Sequence, residues 1–423
     1  MENDSQNLFT IRDPSSGLHY CMISSFLSAH IKPAHTTYAV CAAAMISLAV
    51  AMGVGRFAFT PLFPLMVRDG VLDSQGGGLL AASNYLGYLA GALLAARVRV
   101  KPATLLAIGL LATVAVTAAV GWTSSLASWT TLRFIAGVMS AWTLVATSAW
   151  GLGWLASFNR PQMAGTIYAG VGTGIAAAGM FCLVVPGPGT SARDMWVDLA
   201  LLAAIAILIP LAVSWKFPTP VASPATLPRQ NSSGNAASNT AGLIVCYTLF
   251  GFGYILPATY LPALARELVD DPQIFGWAWP LFGLAAALST MVVSWGMKDA
   301  NRLIVWAISH LIMAVGVLLP SIWPSLISVV IAALLVGGTF MVITMLGMQE
   351  ARARADGNAP VILGRMTAGF AFGQLMGPIA SAALSRFTAD HAAALNYALT
   401  GSAAGLVLGA LFLWREVRLH TFN

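Results

Sequence analysis

Long apolar stretches alternate with short polar ones from residue 38 to residue 414, and this pattern predicts twelve membrane-spanning helices. A helix needs about 20 residues to cross a hydrocarbon core roughly 30 Å thick, and each stretch has about that length or more. We number the stretches spans 1 to 12. Their predicted limits are 38–67, 76–96, 102–122, 126–156, 162–186, 195–216, 241–264, 273–297, 303–321, 323–348, 360–385 and 391–414.

The longest interruption, residues 217–240, is rich in Pro, Ser, Asn and Ala, which is typical of a flexible linker. It divides the spans into six and six, so we expect an all-α integral membrane fold of two pseudo-symmetric six-helix bundles. The expected domains are a cytoplasmic extension 1–37, a first bundle 38–216, a cytoplasmic linker 217–240, a second bundle 241–416 and a cytoplasmic tail 417–423.

Composition agrees with a polytopic membrane protein, because 58% of the residues are hydrophobic, only 9% are charged and the mean hydropathy is +0.79. The four cysteines show no paired spacing and no neighbouring His cluster, so neither a disulfide framework nor a metal site is predicted. The run GVGTG at 170–174 lies inside span 5 with no preceding strand, so it does not indicate a nucleotide loop. We therefore expect no cofactor, no nucleic-acid partner and no enzymatic activity.

Basic residues are distributed unequally between the two sides of the membrane. With the N-terminus inside, only four lie in outward loops, at Arg68, Arg193, Arg266 and Arg386. The inward segments hold Arg12, Lys32, Arg97, Arg99, Lys101, Arg160, Lys216, Arg229, Lys298, Arg302, Arg352, Arg354, Arg415 and Arg418. The positive-inside rule thus predicts that both termini are cytoplasmic, and the net charge of +6 reflects topology.

The two halves carry a weak internal repeat. GVGRFAFTPLFP at 53–64 aligns with GFGYILPATYLP at 251–262, and GTIYAGVGTG at 165–174 aligns with GRMTAGFAFG at 364–373, at offsets of 198 and 199. Because each half has six spans, the repeats are expected to be parallel, related by an axis along the membrane normal. The small and helix-breaking residues in these runs are expected to serve helix packing and gating: Gly53, Gly55, Pro61, Pro64, Gly165, Gly170, Gly174, Pro257, Pro262, Gly369 and Gly373.

Arg56 is the only charged residue of predicted span 1, and it lies deep in the span. A charge at that depth costs at least roughly 2.5–3.5 kcal/mol and marks a bundle interior or a wet cavity. One interpretation is an anchor for a substrate carboxylate or phosphate, which a guanidinium binds in a planar fork. The other is a structural arginine held by carbonyls that Gly53, Gly55, Pro61 and Pro64 free from the helix.

Further candidates for a central site come from both halves. Arg133 in span 4 could share an anion with Arg56, or could be structural. Asn84 and Tyr88 in span 2 are four residues apart and share a helix face, with Tyr85 beside it, and they could line a cavity or join helices. In the second half Tyr254 aligns with Arg56, and Gln374 follows the glycine-rich part of span 11, so these two are candidates for the opposite wall.

No Asp or Glu lies at the centre of a predicted span. Two buried cations without a buried acid favour an anionic solute, and they disfavour the efflux of cations. Because arginine does not release its proton in a protein, the coupling ion stays open, with a proton as one candidate.

The sequence resembles the major facilitator superfamily in its twelve spans, its 6+6 division and its RFIAGVMSA run from Arg133, which is similar to the RxxxG motif of helix four. The loop after span 2 is similar to the GxLaDRxGRR motif, although Ala95 stands at the Asp position, which removes a charge relay that links the bundles in many members. The strings GRFAFTPLFPLM and SNYLGYLAGALLA resemble the YbfB-type branch of bacterial transporters.

This resemblance implies a secondary active transporter of the bacterial cytoplasmic membrane that works as a monomer by alternating access. We expect its substrate to be a small organic solute, preferentially an anion. The alternatives are an exporter of amphipathic or drug-like compounds and, in a different class, a membrane sensor or scaffold that does not transport.

Overall fold

The computed structural model of the protein describes residues 33–187, 189–219, 236–268, 276–355, 358–384 and 391–421. All regular secondary structure in these ranges is helical. The predicted extension up to residue 32 and the part of the predicted linker at 220–235 lie outside the described residues.

The described helices form twelve spans in two six-helix bundles, as predicted. Spans 2 to 6 are Ser74–Ala95, Pro102–Trp122, Leu126–Ser157, Ala164–Val184, and Ala192–Ala206 continued by Leu208–Lys216. Spans 7 to 12 are Ala236–Leu268, Ala278–Gly296, Arg302–Ile322, Leu326–Ala353, Ala359–Leu384 and His391–Thr421. Eleven of the twelve are apolar and long enough to cross a membrane, and the exception within the described residues is span 11, which carries Arg365 and Gln374.

Large apolar side chains point away from the bundles. Ile205, Val292 and Ile322 are 67%, 67% and 75% exposed. A soluble protein does not present apolar surface on this scale, whereas lipid covers it without cost. The chain is therefore a multi-pass membrane protein.

Span 1 consists of three helical pieces. Pro33–Leu48 is α-helical, Ala49–Phe57 is π-helical and Phe59–Arg68 is α-helical again. We name Ala49–Phe57 the π segment. It contains Arg56, and it begins well before Pro61, so the predicted distortion of span 1 starts with the π segment rather than at the prolines. π-Helical turns are rare and occur frequently at functional sites.

The internal repeat is also a repeat of packing. A Cβ on Gly174 would lie 2.4 Å from the carbonyl oxygen of Ala49, and a Cβ on Gly373 would lie 2.1 Å from that of Thr248. The repeat relates Gly174 to Gly373 and Ala49 to Thr248. Span 5 therefore packs on span 1 in the same way as span 11 packs on span 7. Only glycine permits this close approach of two backbones.

The two halves also meet at the predicted cytoplasmic ends of their spans. The hydroxyl of Ser294 donates to the carbonyl oxygen of Gln162 (2.7 Å) and accepts from the backbone N–H of Gly165 (2.9 Å). Arg352 Nη1 donates to the carbonyl oxygen of Ala149 at 3.4 Å. These contacts join spans 8 and 10 to spans 4 and 5.

Spans 2 and 11 make a further contact between the halves, through small residues. A Cβ on Gly364 would lie 2.9 Å from the backbone nitrogen of Ala96, the neighbour of buried Ala95. Ala95, at the position that holds an Asp in the related motif, is thus buried next to a close contact between the halves.

Candidate functional site

Arg56 lies on the π segment with only 3% of its surface exposed. Its Nη2 donates a hydrogen bond to Oε1 of Gln374, which belongs to span 11 in the other half and is itself fully buried. The structure thus brings together two residues that are 318 positions apart in the chain. Both were expected on the basis of sequence to face one cavity from opposite sides.

Aromatic rings surround the guanidinium of Arg56. Its central carbon lies 3.7 Å from the ring centroid of Tyr88, 5.4 Å from that of Phe57 and 5.9 Å from that of Tyr85. These distances are within the range of cation–π attraction, which is stronger where the cation is desolvated. Nε and Nη1 of Arg56 have no hydrogen-bond partner among the described residues.

Arg133 is engaged differently. Its Nη1 donates to the carbonyl oxygen of Gly55 at 3.2 Å and its Nη2 to that of Arg56 at 3.0 Å, while its guanidinium lies 4.8 Å from the ring of Phe59. In π-helical bonding the carbonyl of Arg56 would be paired with the residue five positions on, and that residue is Pro61, which has no N–H. The role proposed for Arg56 as a carbonyl-bound arginine is thus filled by Arg133.

Ser140 and Asn84 support this arrangement. Ser140 lies two helical turns after Arg133 on span 4, and its hydroxyl is 3.0 Å from the carbonyl oxygen of Ala51 in the π segment. Asn84 donates through Nδ2 to the carbonyl oxygen of Arg133 at 3.0 Å. Of the two uses that the sequence allows for Asn84, the geometry corresponds to a bond between helices.

Tyr254 lies in an aromatic cluster of the second half. It is 1% exposed and stacks on Phe340, with ring centroids 5.0 Å apart and an interplanar angle of 21°. Its hydroxyl and the Nε2 of Gln374 have no hydrogen-bond partner among the described residues. Buried polar groups are usually paired, so this concentration of unpaired donors around Arg56 is unusual.

A small cavity of about 20 Å³ lies between the two halves. A volume of roughly 10–15 Å³ holds one water molecule, so this cavity is too small for an organic solute. Neither Arg56 nor Gln374 lines the cavity, but the rings of Phe57 and Tyr88 that contact Arg56 do. The lining residues are Met52, Phe57, Tyr88, Leu144, Val171, Tyr247, Tyr254, Phe340, Met341, Thr344, Thr367 and Phe370.

The glycines predicted to serve packing lie in contacts between helices. Gly53, Gly55, Gly165, Gly170, Gly174, Gly369 and Gly373 all meet atoms of another helix where a Cβ would stand. Pro61 and Pro64 are half-buried in span 1 and Pro257 is buried in span 7, while the side chain of Pro262 lies outside the described residues.

Sequence reasoning missed most of the aromatic lining and the role of Ser140. The spacing of Tyr247, Phe250 and Tyr254, at i, i+3 and i+7, was a signal that these rings share one face of span 7. Phe340 and Phe370 had no such signal, because no other aromatic residue lies three, four or seven positions from either. Among the described residues no group of three or more His, Cys, Asp or Glu could hold a metal ion.

Two six-helix bundles around a central, mostly apolar cavity, with buried arginines beside it, define the class of protein, a major facilitator-type membrane transporter. A family model described as "Uncharacterised MFS-type transporter YbfB" matches residues 48–414. The chain belongs to this family of membrane transporters, which implies a small-molecule substrate and a lipid bilayer.

The crystal structure of the human organic anion transporter MFSD10 (TETRAN) is similar to this chain, with a TM-score of 0.69 at 15% sequence identity. The similarity covers 91% of this chain and 100% of that one. At this identity the comparison establishes the fold alone. No curated protein matches the sequence.

Proposed function

We propose that the protein carries a small organic anion across the bacterial cytoplasmic membrane by alternating access, with Arg56 as the residue that binds the anion. The observation that carries this proposal is the pairing state of Arg56. It is buried, it lies where the two halves meet, and Nε and Nη1 have no partner among the described residues. An oxyanion supplies the acceptors that these donors lack.

Through Gln374, binding of an anion at Arg56 can change how the two bundles are held together. Its bond to Arg56 joins the halves, and an anion at Arg56 competes with that bond or adds to it through Gln374 Nε2. Binding energy that differs between two arrangements of the halves shifts the equilibrium between them, which is what alternating access requires. We also propose that both termini lie in the cytoplasm and that the transporter functions as a monomer.

The residues of this site also limit how a proton could be coupled to transport. Within the part of the chain that the structure describes, no Asp or Glu lines the cavity. Described carboxylates such as Glu350 pair instead with Arg354 at a helix end, at 2.9 Å. If a proton moves with the substrate, it travels on the substrate itself.

Binding to purified protein tests the proposal. The melting temperature in detergent is measured with sodium benzoate, succinate and phosphate, with tetraphenylphosphonium as an amphipathic cation and with glucose as a neutral solute. A ligand of the native state raises stability. We expect a rise with at least one anion and its loss in Arg56→Gln, and a rise with the cation alone would support the exporter of amphipathic compounds instead.

A transport assay distinguishes a transporter from a sensor that binds the anion without moving it. A bound anion should exchange across the membrane of proteoliposomes, which is measured by counterflow of the radiolabelled compound. Binding without counterflow would contradict transport and support the sensor.

A further inference from the structure

We infer that the anion is a monocarboxylate whose body is an aromatic ring, an inference that rests on the proposed anion site at Arg56. Three observations carry it: the rings that line the cavity, the single cation beside them and the donors that remain unpaired.

The first observation is the cavity lining. Six aromatic residues face it, namely Phe57, Tyr88, Tyr247, Tyr254, Phe340 and Phe370, which we name the aromatic wall. Both halves contribute to it, since the first two lie on spans 1 and 2 and the others on spans 7, 10 and 11. An aliphatic body would need only apolar surface, whereas this wall also offers ring faces and edges.

The rings of the aromatic wall already contact one another through their faces and edges. Phe370 lies 5.5 Å from Tyr247, 6.0 Å from Tyr254 and 6.5 Å from Tyr88, measured between centroids. Aromatic pairs are attractive at about 4.5–7 Å, beyond the effect of burial alone. A substrate ring that enters between the halves exchanges these contacts for similar ones, so opening the wall around it loses little.

The second observation is that one cation serves this site. Arg133 is 4% exposed, and its Nη1 and Nη2 are both engaged by carbonyl oxygens of span 1. No charged side chain of the described residues lines the cavity. A dianion would bring a second charge into a low-dielectric site without a counter-charge, which is strongly unfavourable.

The third observation identifies the head group. A carboxylate has two oxygens that accept hydrogen bonds, and Arg56 keeps unpaired N–H groups on Nε and Nη1. Gln374 Nε2 adds a donor from the opposite half, and Tyr254 adds a hydroxyl at the aromatic wall. A carboxylate at Arg56 with its ring towards the aromatic wall satisfies both parts of the site.

Four probes of similar size test the inference on purified full-length protein by isothermal calorimetry. They are benzoate, cyclohexanecarboxylate, terephthalate and benzamide. We expect benzoate to bind about three- to tenfold more tightly than cyclohexanecarboxylate, which has the same charge without aromaticity. Terephthalate, with a second charge, and benzamide, with none, should each bind at least about tenfold more weakly than benzoate.

Two variants locate the preference in the aromatic wall. Phe370→Leu should weaken benzoate binding and leave cyclohexanecarboxylate binding within about twofold, and Phe340→Leu serves as a second variant if the first does not fold. Equal affinity for the two carboxylates in the native protein would overturn the aromatic assignment. Tighter binding of terephthalate would overturn the single charge. Failure of every anion, these and aliphatic ones alike, would instead reject the proposed function.

Discussion

The guanidinium of Arg56 in the first half donates a hydrogen bond to the side-chain oxygen of Gln374 in the second half. No carboxylate takes part, so the cation keeps its charge uncompensated while its position is fixed. A neutral partner of this kind holds the arginine in place and still leaves it attractive to an anion. This relationship leads directly to the first prediction.

Gln374→Glu should abolish anion binding, because a carboxylate at this position forms an ion pair with Arg56 and supplies the charge that the substrate would bring. We expect the affinity for benzoate to fall at least about tenfold in calorimetry. The matched control is Gln374→Leu, which removes the hydrogen bond and keeps the cation uncompensated. Its affinity should fall only a few-fold, and equal losses in the two variants would contradict the role of charge.

Arg133→Gln should lower the stability of the protein and leave its affinity for anions unchanged. The variant leaves the carbonyl oxygens of Gly55 and Arg56 without their donors, and a buried unpaired carbonyl costs about 1–3 kcal/mol. The melting temperature in detergent should fall by several degrees, while the exposed control Arg193→Gln should leave it unchanged. A native melting temperature combined with lost anion binding would show instead that Arg133 binds the substrate.

Gly53→Ala should disturb the contact of span 1 with span 5. The added Cβ would lie 2.4 Å from the Cα of Gly174, so two backbones must separate, and overpacking of this kind costs about 1–3 kcal/mol. The control is Gly78→Ala, because a Cβ there meets nothing within 4 Å. Thermal melting of both variants measures the difference, and a neutral Gly53→Ala would contradict the packing of spans 1 and 5.

Ser294→Ala should favour opening of the predicted cytoplasmic side, because this one hydroxyl bonds to Gln162 and Gly165 across the two halves. Two hydrogen bonds of about 0.5–1.5 kcal/mol each predict a shift of roughly tenfold in the equilibrium between the closed and open arrangements. Alkylation of a cysteine placed at position 162, in a background without the native cysteines, reports that opening in membrane vesicles.

The control for this prediction is Ser289→Ala on the same helix. The hydroxyl of Ser289 donates only to the carbonyl oxygen of Ala286 in its own helix, at 3.1 Å. Its loss should leave the alkylation rate at its native value. An unchanged rate in Ser294→Ala would show that the Ser294 contacts do not hold the halves together.

Part of the site could be recognised in the sequence, because a charge inside an apolar span is rare. Arg56 and Arg133 stand out for that reason, and the repeat directed attention to Tyr254 and the glycines of spans 5 and 11. The two arginines nevertheless look equivalent in the sequence. Only their partners distinguish them, since Arg133 reaches the carbonyls of span 1 whereas Arg56 points towards Gln374 and Tyr88.

By itself the sequence determined the twelve spans and the 6+6 division, because transfer into lipid depends on the length and polarity of each stretch and on little else. It could not determine the π segment, which depends on its carbonyl oxygens accepting hydrogen bonds from Arg133 and Ser140 of another helix. Nor could it determine that Gln374 meets Arg56 or that Phe370 joins the rings of both halves. Such contacts depend on the rotation and closeness of packed helices, which only the tertiary structure decides.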